Sequence, residues 1–286
     1  MAAPRIDMDH LNQWLGRSET LREQIAPFPA NALAATLDRD DAPYADGTAL
    51  PPLWHWLHFL PVHKLSECGR DGHAAKGGFL PPVPLPRRMW AGSRFRFLAD
   101  MPIGAVAEKR STIGKITHKA GRSGDLVFVT VNHDYFVGGT QTIAEEHDIV
   151  YREDPHPGAP APQPQPAPEG DDFSRAITPD PVLLFRYSAL TFNGHRIHYD
   201  TPYATGVEGY AGLVVHGPLI ATLLMDTLRR HTDARVTGFA FRALATITDN
   251  MTFSTHLARQ PDGRVRLWAR RQDGALAMDA TAELEG

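Results

Sequence analysis

The chain is poor in the features that would assign it quickly. One cysteine, Cys68, stands among 286 residues. No disulfide can form within the chain, so it is no disulfide-stapled secreted domain, and a reducing compartment is the simpler expectation. No run of about 18 apolar residues occurs, which excludes a bilayer-spanning helix. The opening residues, MAAPRIDMDHLNQWLG, lack both the apolar core of a secretory leader and an Arg/Ser-rich transit pattern. A cytoplasmic protein is expected. Excess positive charge is missing too: 29 Lys and Arg stand against 33 Asp and Glu. That argues against nucleic acid held on a broad basic surface, but not against a local pocket for a phosphorylated ligand. No Cys/His spacing matches a standard zinc site, and no metal is expected. Cys68 lies in a polar stretch, and a catalytic thiol is not expected.

What is present divides in two. Residues 154–171, DPHPGAPAPQPQPAPEGD, alternate Pro with Ala and Gln and favour an extended linker. The expected organisation is one domain over residues 1–153, a linker over 154–174 and a second domain over 175–286. In the first domain a short helix over residues 8–15 ends at Gly16. A second helix is predicted from Ser18 or Thr20, with Thr20 and Glu23 at capping-box spacing, broken by Pro27 and Pro29. The alanine-rich PANALAATLD is a third. Trp54, Trp56 and Phe59 lie in LPPLWHWLHFLP, either packed on a sheet or partner subunit or lining a ligand pocket. Residues 66–88 are Gly/Pro-rich and read as irregular loop. From Arg94 onward four strand-like runs follow with glycine turns between them, an antiparallel meander.

The second domain is predicted to open with a strand, VLLFRYSALT. A polar turn follows with Asn193, His195 and His198, then a long helix from Gly217. Four further strands include hairpin signals at Asp262-Gly263 and Asp273-Gly274. A helix before a meander thus occurs twice, and the fold class is α+β, with two related halves.

The stretch from Tyr187 to Leu228 is the candidate functional centre. Pro218 suits the first helical position, where its missing N–H costs nothing. Leu219, Ile220, Leu223, Leu224 and Leu228 mark a helix buried on most sides. The free N–H groups at its start are suited to a developing negative charge. His195 and His198, three apart, fit metal ligands, ordinary turn residues or a general base. An imidazole that titrates near pH ~6.5 suits the last role.

This stretch resembles the hydratase motif of the MaoC-like (R)-specific enoyl-CoA hydratases, Gly-Asp-x-Asn-Pro-apolar-His with a later His-Gly. Phe192 stands at the Gly position and Asn193 at the catalytic Asp. His195 stands at the Asn, Arg196 at the Pro, and Ile197 at the apolar position. His198 stands at the catalytic His, and His216-Gly217 at the His-Gly pair. The run FNGHRIHYD is closer to the hydroxyacyl-thioester dehydratase type 2 family, which includes bacterial 3-methylfumaryl-CoA hydratases. Residues 185–200, LPPLWHWLHFLP and KAGRSGDLVFV carry that likeness.

The resemblance implies a double hotdog fold and reversible addition of water across the α,β double bond of a short enoyl-CoA. The expected substrate is 3-methylfumaryl-CoA, hydrated to citramalyl-CoA. A small-molecule acyl-CoA is the expected partner, without cofactor, nucleic acid or membrane, and a homodimer is compatible with the fold. His198 is the expected base. Asn193 is expected to hold the water by its amide, which cannot take a proton as a carboxylate can. The Gly217 N–H is the expected oxyanion donor. His195 and His216 complete the substrate-binding set. Arg242 and Arg270 are candidates for CoA phosphates or solvated strand residues. Arg186 and Arg196 are candidates for a free acyl carboxylate. Asp200 either orients a histidine or holds the turn. The alternatives are a 3-hydroxyacyl-thioester dehydratase of fatty-acid metabolism, a thioesterase, or a non-catalytic acyl-CoA-binding protein.

Overall fold

A computed structural model describes residues 6–74, 76–121, 124–153 and 163–286. Short helix α1 (Met8–Leu11) leads into strand β1 (Ser18–Gln24) and helix α2 (Pro27–Thr36). After a long connection come β2 (Arg87–Phe97), β3 (Val106–Gly121), β4 (Gly124–Val137) and β5 (Thr140–Arg152). The second half contains β6 (Phe173–Ile177), α3 (Pro181–Leu190), α4 (Thr201–Gly206) and α5 (Gly217–Arg229). It ends with β7 (Val236–Ala243), β8 (Phe253–Arg259), β9 (Val265–Arg271) and β10 (Leu276–Leu284).

The strands form one ten-stranded sheet in the order β1-β3-β4-β5-β2-β7-β10-β9-β8-β6, with every pair antiparallel. From its outer edge inward, each half runs first, third, fourth, fifth and second strand. The halves meet where β2 pairs with β7. Gly92 makes that junction possible: a Cβ there would collide with the Phe241 carbonyl oxygen. Helix α5 crosses β8, β9 and β10, and its residues from Leu219 to Leu228 are all buried. One apolar core takes side chains from both halves, including Leu33, Phe95, Leu224 and Phe239. Buried Asp226 fastens α5 to the first half. It accepts hydrogen bonds from Arg39 at 2.6 Å, Arg175 at 2.6 Å and Arg230 at 2.8 Å.

Several local expectations are corrected. VLLFRYSALT is helical, not a strand. Pro181 opens α3, Asp180 caps it by accepting from the Leu183 N–H at 2.8 Å, and Leu184, Tyr187 and Ser188 form its buried side. Their spacing is helical, a period masked by exposed Val182 and Phe185. Residues 18–24 form an edge strand on β3, not a capped helix. The Glu23 carboxylate accepts from the Phe59 N–H at 2.5 Å instead of closing a capping box. Pro27 begins a helix as well as ending the segment before it. Gly217, rather than Pro218, is the first residue of α5, and His216 is its N-cap. Strand β2 starts at Arg87, inside the stretch read as loop. Residues 154–162 of the expected linker lie outside the described residues. Of the remainder, Pro166 bridges to Ala275 at the end of the β9–β10 hairpin. Among the described residues no helix is long and apolar enough to cross a membrane.

Candidate active site

A groove of about 2130 Å³ runs across the junction of the halves. It is lined from the second half by Asn193, His195, His198, His216 and Gly217, and from the first by Asp71, His73, Arg88 and Glu145. The polar turn after α3 is held from its own backbone. The Asn193 N–H donates to the Ser188 carbonyl at 2.8 Å. The Asn193 side-chain oxygen accepts from the His195 N–H at 3.0 Å, an Asx-type turn. The amide NH₂ of Asn193 is thereby left for the groove.

His198 follows in a single 3-10 turn over Arg196–His198. Its Nδ1 lies 2.7 Å from the Val214 carbonyl oxygen. A carbonyl can only accept, so Nδ1 carries the proton and Nε2 keeps its lone pair. Among the described residues Nε2 has no hydrogen-bond partner, and it is not sealed from solvent. The ring is stacked on that of His216, with centroids 3.6 Å apart. His216 is buried; its Nε2 lies 2.8 Å from the Ser188 hydroxyl. Burial holds the His198 imidazole down to about 3, against the hydrogen bond to Val214, and holds His216 well below its usual value. Both rings are therefore neutral at neutral pH. The chain then turns directly into α5 at Gly217, where an added Cβ would meet nothing within 4 Å.

The structure separates the arginines expected at the site from the groove. Arg196 is held by Asp200 at 2.7 and 2.9 Å and lies over the Tyr203 ring. Asp200 also caps α4 by accepting from the Tyr203 N–H at 3.1 Å, so it holds the turn. Arg186 and Arg242 are exposed, and neither they nor Arg196 or Arg270 line the groove. The cations that do line it include Arg70, Lys76, Arg87, Arg88 and Arg152. Arg70 and Lys76 come from the Gly/Pro-rich connection, which offers no periodic signal to sequence reading, and Arg87, Arg88 and Arg152 from β2 and β5. Trp54 is a core residue, whereas Trp56 and Phe59 line the groove.

Residues 53–249 match the description of the hydroxyacyl-thioester dehydratase type 2 family. The chain belongs to that family. Among its relatives is the mesaconyl-C(4)-CoA hydratase of Chloroflexus aurantiacus, 51% identical over 96% of this chain and 97% of that protein. A MaoC-like dehydratase from Phytophthora capsici has a similar structure, with TM-score 0.69, 15% identity and coverage of 98% of this chain and 99% of that one. A Mycobacterium tuberculosis protein described as having a double hotdog fold aligns with TM-score 0.59 and 13% identity, over 94% of this chain and 96% of that one. The architecture is the double hotdog, and the protein is a hydro-lyase of the hydratase and dehydratase kind.

Within this hydroxyacyl-thioester dehydratase type 2 fold the first half carries a buried polar cluster that sequence reading missed. The Glu145 carboxylate lies 3.2 Å from the Tyr135 hydroxyl and 3.3 Å from that of Ser93, with His55 Nε2 and Trp56 Nε1 each at 3.4 Å. Burial acts to raise this carboxyl, yet the His55 hydrogen bond and neighbouring imidazoles hold it below the usual carboxylate range. Glutamate in the run TIAEEHD looks like any strand-face charge in one dimension. Only the register of β5 turns it inward.

Proposed function

We propose that the protein hydrates mesaconyl-C(4)-CoA, that is 3-methylfumaryl-CoA, to citramalyl-CoA. The observation that carries this reading is His198: Nδ1 is tied to Val214, and Nε2 is free in the groove beside the start of α5. The likeness to the Chloroflexus aurantiacus hydratase over almost the whole chain supports the substrate.

In this reading His198 Nε2 takes a proton from water held by the Asn193 amide. The water oxygen attacks Cβ, and the displaced π electrons pass to the thioester oxygen as an enolate. The unpaired N–H groups at the start of α5, led by Gly217, stabilise that charge. Removing one such donor typically costs about 2.7–4 kcal/mol. His195 and His216 shape the turn around the base. CoA phosphates are held by groove-lining cations such as Arg70 and Arg88, rather than by Arg242 or Arg270. The reaction needs proton transfer and charge stabilisation only, and no cofactor is invoked.

The test is loss of the enoyl-thioester absorbance band on mesaconyl-C(4)-CoA, with crotonyl-CoA and a long-chain enoyl-CoA alongside and free thiol followed. Turnover of the dicarboxylic substrate without thiol release is expected. Preference for a long chain would point instead to a fatty-acyl dehydratase, and thiol release to a thioesterase.

A further inference from the structure

The hydratase reading leaves the donor of one proton unassigned. His198 removes a proton from water, Cα must gain one, and the residue at the motif's carboxylate position is Asn193, whose amide cannot move a proton. Asp200 is occupied by Arg196 and the α4 cap.

A carboxylate–imidazole pair reaches the same place from the other half of the chain. His73 Nδ1 lies 3.1 Å from the Asp71 carboxylate, which also accepts the His73 backbone N–H at 3.1 Å. Nδ1 therefore donates, and among the described residues Nε2 has no hydrogen-bond partner and is not sealed from solvent. The His73 ring packs on that of His195 with centroids 4.0 Å apart, and His195 meets His198 edge-on at 5.3 Å. The placement is built in. The Arg196 N–H donates to the Asp71 carbonyl at 2.9 Å, and Gly72, at φ +88°, passes so close to Gly194 that a Cβ would collide with its carbonyl oxygen.

We propose that Asp71 and His73 form the second proton-transfer pair of the reaction, His73 Nε2 donating the proton that Cα receives while His198 Nε2 takes the one that water loses. This rests on the hydratase reading above. As the water oxygen bonds to Cβ, its O–H pair stays on oxygen and the proton passes to His198. The enolate then collapses as Cα takes the proton from the His73 imidazolium, whose N–H pair returns to Nε2. Water in the groove carries the proton from His198 back to His73, so each turnover adds one water and consumes nothing else. Asp71 is a positioning residue: it fixes the tautomer and stabilises the imidazolium. Among the described residues Arg88, His195 and His198 are the other charged or titratable groups that act on His73; burial lowers its pKa, and the Asp71 hydrogen bond opposes that.

The experiment measures hydration of mesaconyl-C(4)-CoA and solvent deuterium exchange at Cα of citramalyl-CoA. It uses the wild type, His73→Gln and the nearly isosteric Asp71→Asn, with thermal unfolding of each. Expected for His73→Gln is a fall in kcat of about 10²–10⁴, KM little changed, exchange lost and Tm near wild type. Asp71→Asn should fall less, and its alkaline-side pH limb should move to lower pH, because the His73 imidazolium that must donate loses its carboxylate. Wild-type kcat in His73→Gln, or exchange retained in both variants, overturns the pair. So does activity lost to a chelator and restored by zinc, which would make Asp71, His73 and His195 a metal site. A wild type inert on every enoyl-CoA defeats the hydratase reading itself, an outcome distinct from these.

Discussion

The imidazole rings of His198 and His216 lie 3.6 Å apart and only 18° from parallel. Face-to-face stacking leaves no room for charge on both rings, and each is held neutral. The pair therefore presents a single lone pair, His198 Nε2, to the groove, because His216 turns its Nε2 to the Ser188 hydroxyl.

Replacing His198 by Gln should lower kcat by about 10²–10⁴, the usual worth of a positioned general base. The measurement is steady-state hydration at saturating substrate, with circular dichroism to confirm the fold. His216→Asn should lose less, because it retains a polar partner for Ser188 and leaves the His198 lone pair in place. Equal losses in the two variants would mean that the stack acts as a unit.

Much of this site could be read in one dimension, because it is local. Asn193, His198 and the start of α5 are joined by short connections, and the Pro218 and leucine pattern specify the helix without help from distant residues. The centre of each meander was legible for the same reason: β3, β4 and β5, like β8, β9 and β10, pair in sequence order, whereas β2 and β7 leave that order to pair with β5, β10 and each other. What could not be read depends on distant contacts. Asp71 and His73 lie in a loop without periodicity, placed by backbone contacts to Gly194 and Arg196 more than 120 residues away. Ser18–Gln24 has helix-like cap spacing but finds an open sheet edge on β3, and tertiary pairing overrides the local signal. Arg196 looked free beside the turn, yet Asp200 four residues on takes its guanidinium.

Gly72→Ala tests whether the loop from the first half must seat on the turn. Gly72 has φ +88°, and its missing Cβ is what lets the Gly194 carbonyl approach. Alanine meets a backbone clash and an unfavourable φ at once. Hydration should fall by at least about tenfold, since an ångström-scale misplacement of a reacting group can cost about 10². The global fold should persist, because the loop lies outside the sheet. Wild-type kcat in this variant would show that the loop does not position the site.

Asp226 tests how the halves are fastened. Its carboxylate is almost wholly buried and faces Arg39, Arg175 and Arg230. Arg175 has no second carboxylate partner among the described residues, so truncation leaves it uncompensated. Asp226→Ala should lose roughly 3–5 kcal/mol of stability, as when one partner of a buried ion pair is removed. Urea unfolding is the check. A loss of only a few tenths would mean that the cluster is solvated in practice.

Acid should destabilise the protein well before ordinary carboxylates titrate. Burial holds His198 and His195 to about 3 and His147 to about 4. In the unfolded chain each titrates near 6.5. Between those limits the unfolded state binds more protons than the folded one, so stability rises with pH. The contribution is fully present above about pH 6.5 and is lost as pH falls towards 4–3, at up to about 1.4 kcal/mol per unit for each imidazole. Glu145 and Asp71, held low in the folded state, act in the same direction, but only once the pH drops below about 4.5. Tm should therefore fall between pH 7 and 5, before those carboxylates contribute. His147→Gln should make the fall shallower by removing one buried imidazole that must charge. A Tm independent of pH across that range would show that these histidines titrate in the folded protein as they do in the unfolded chain.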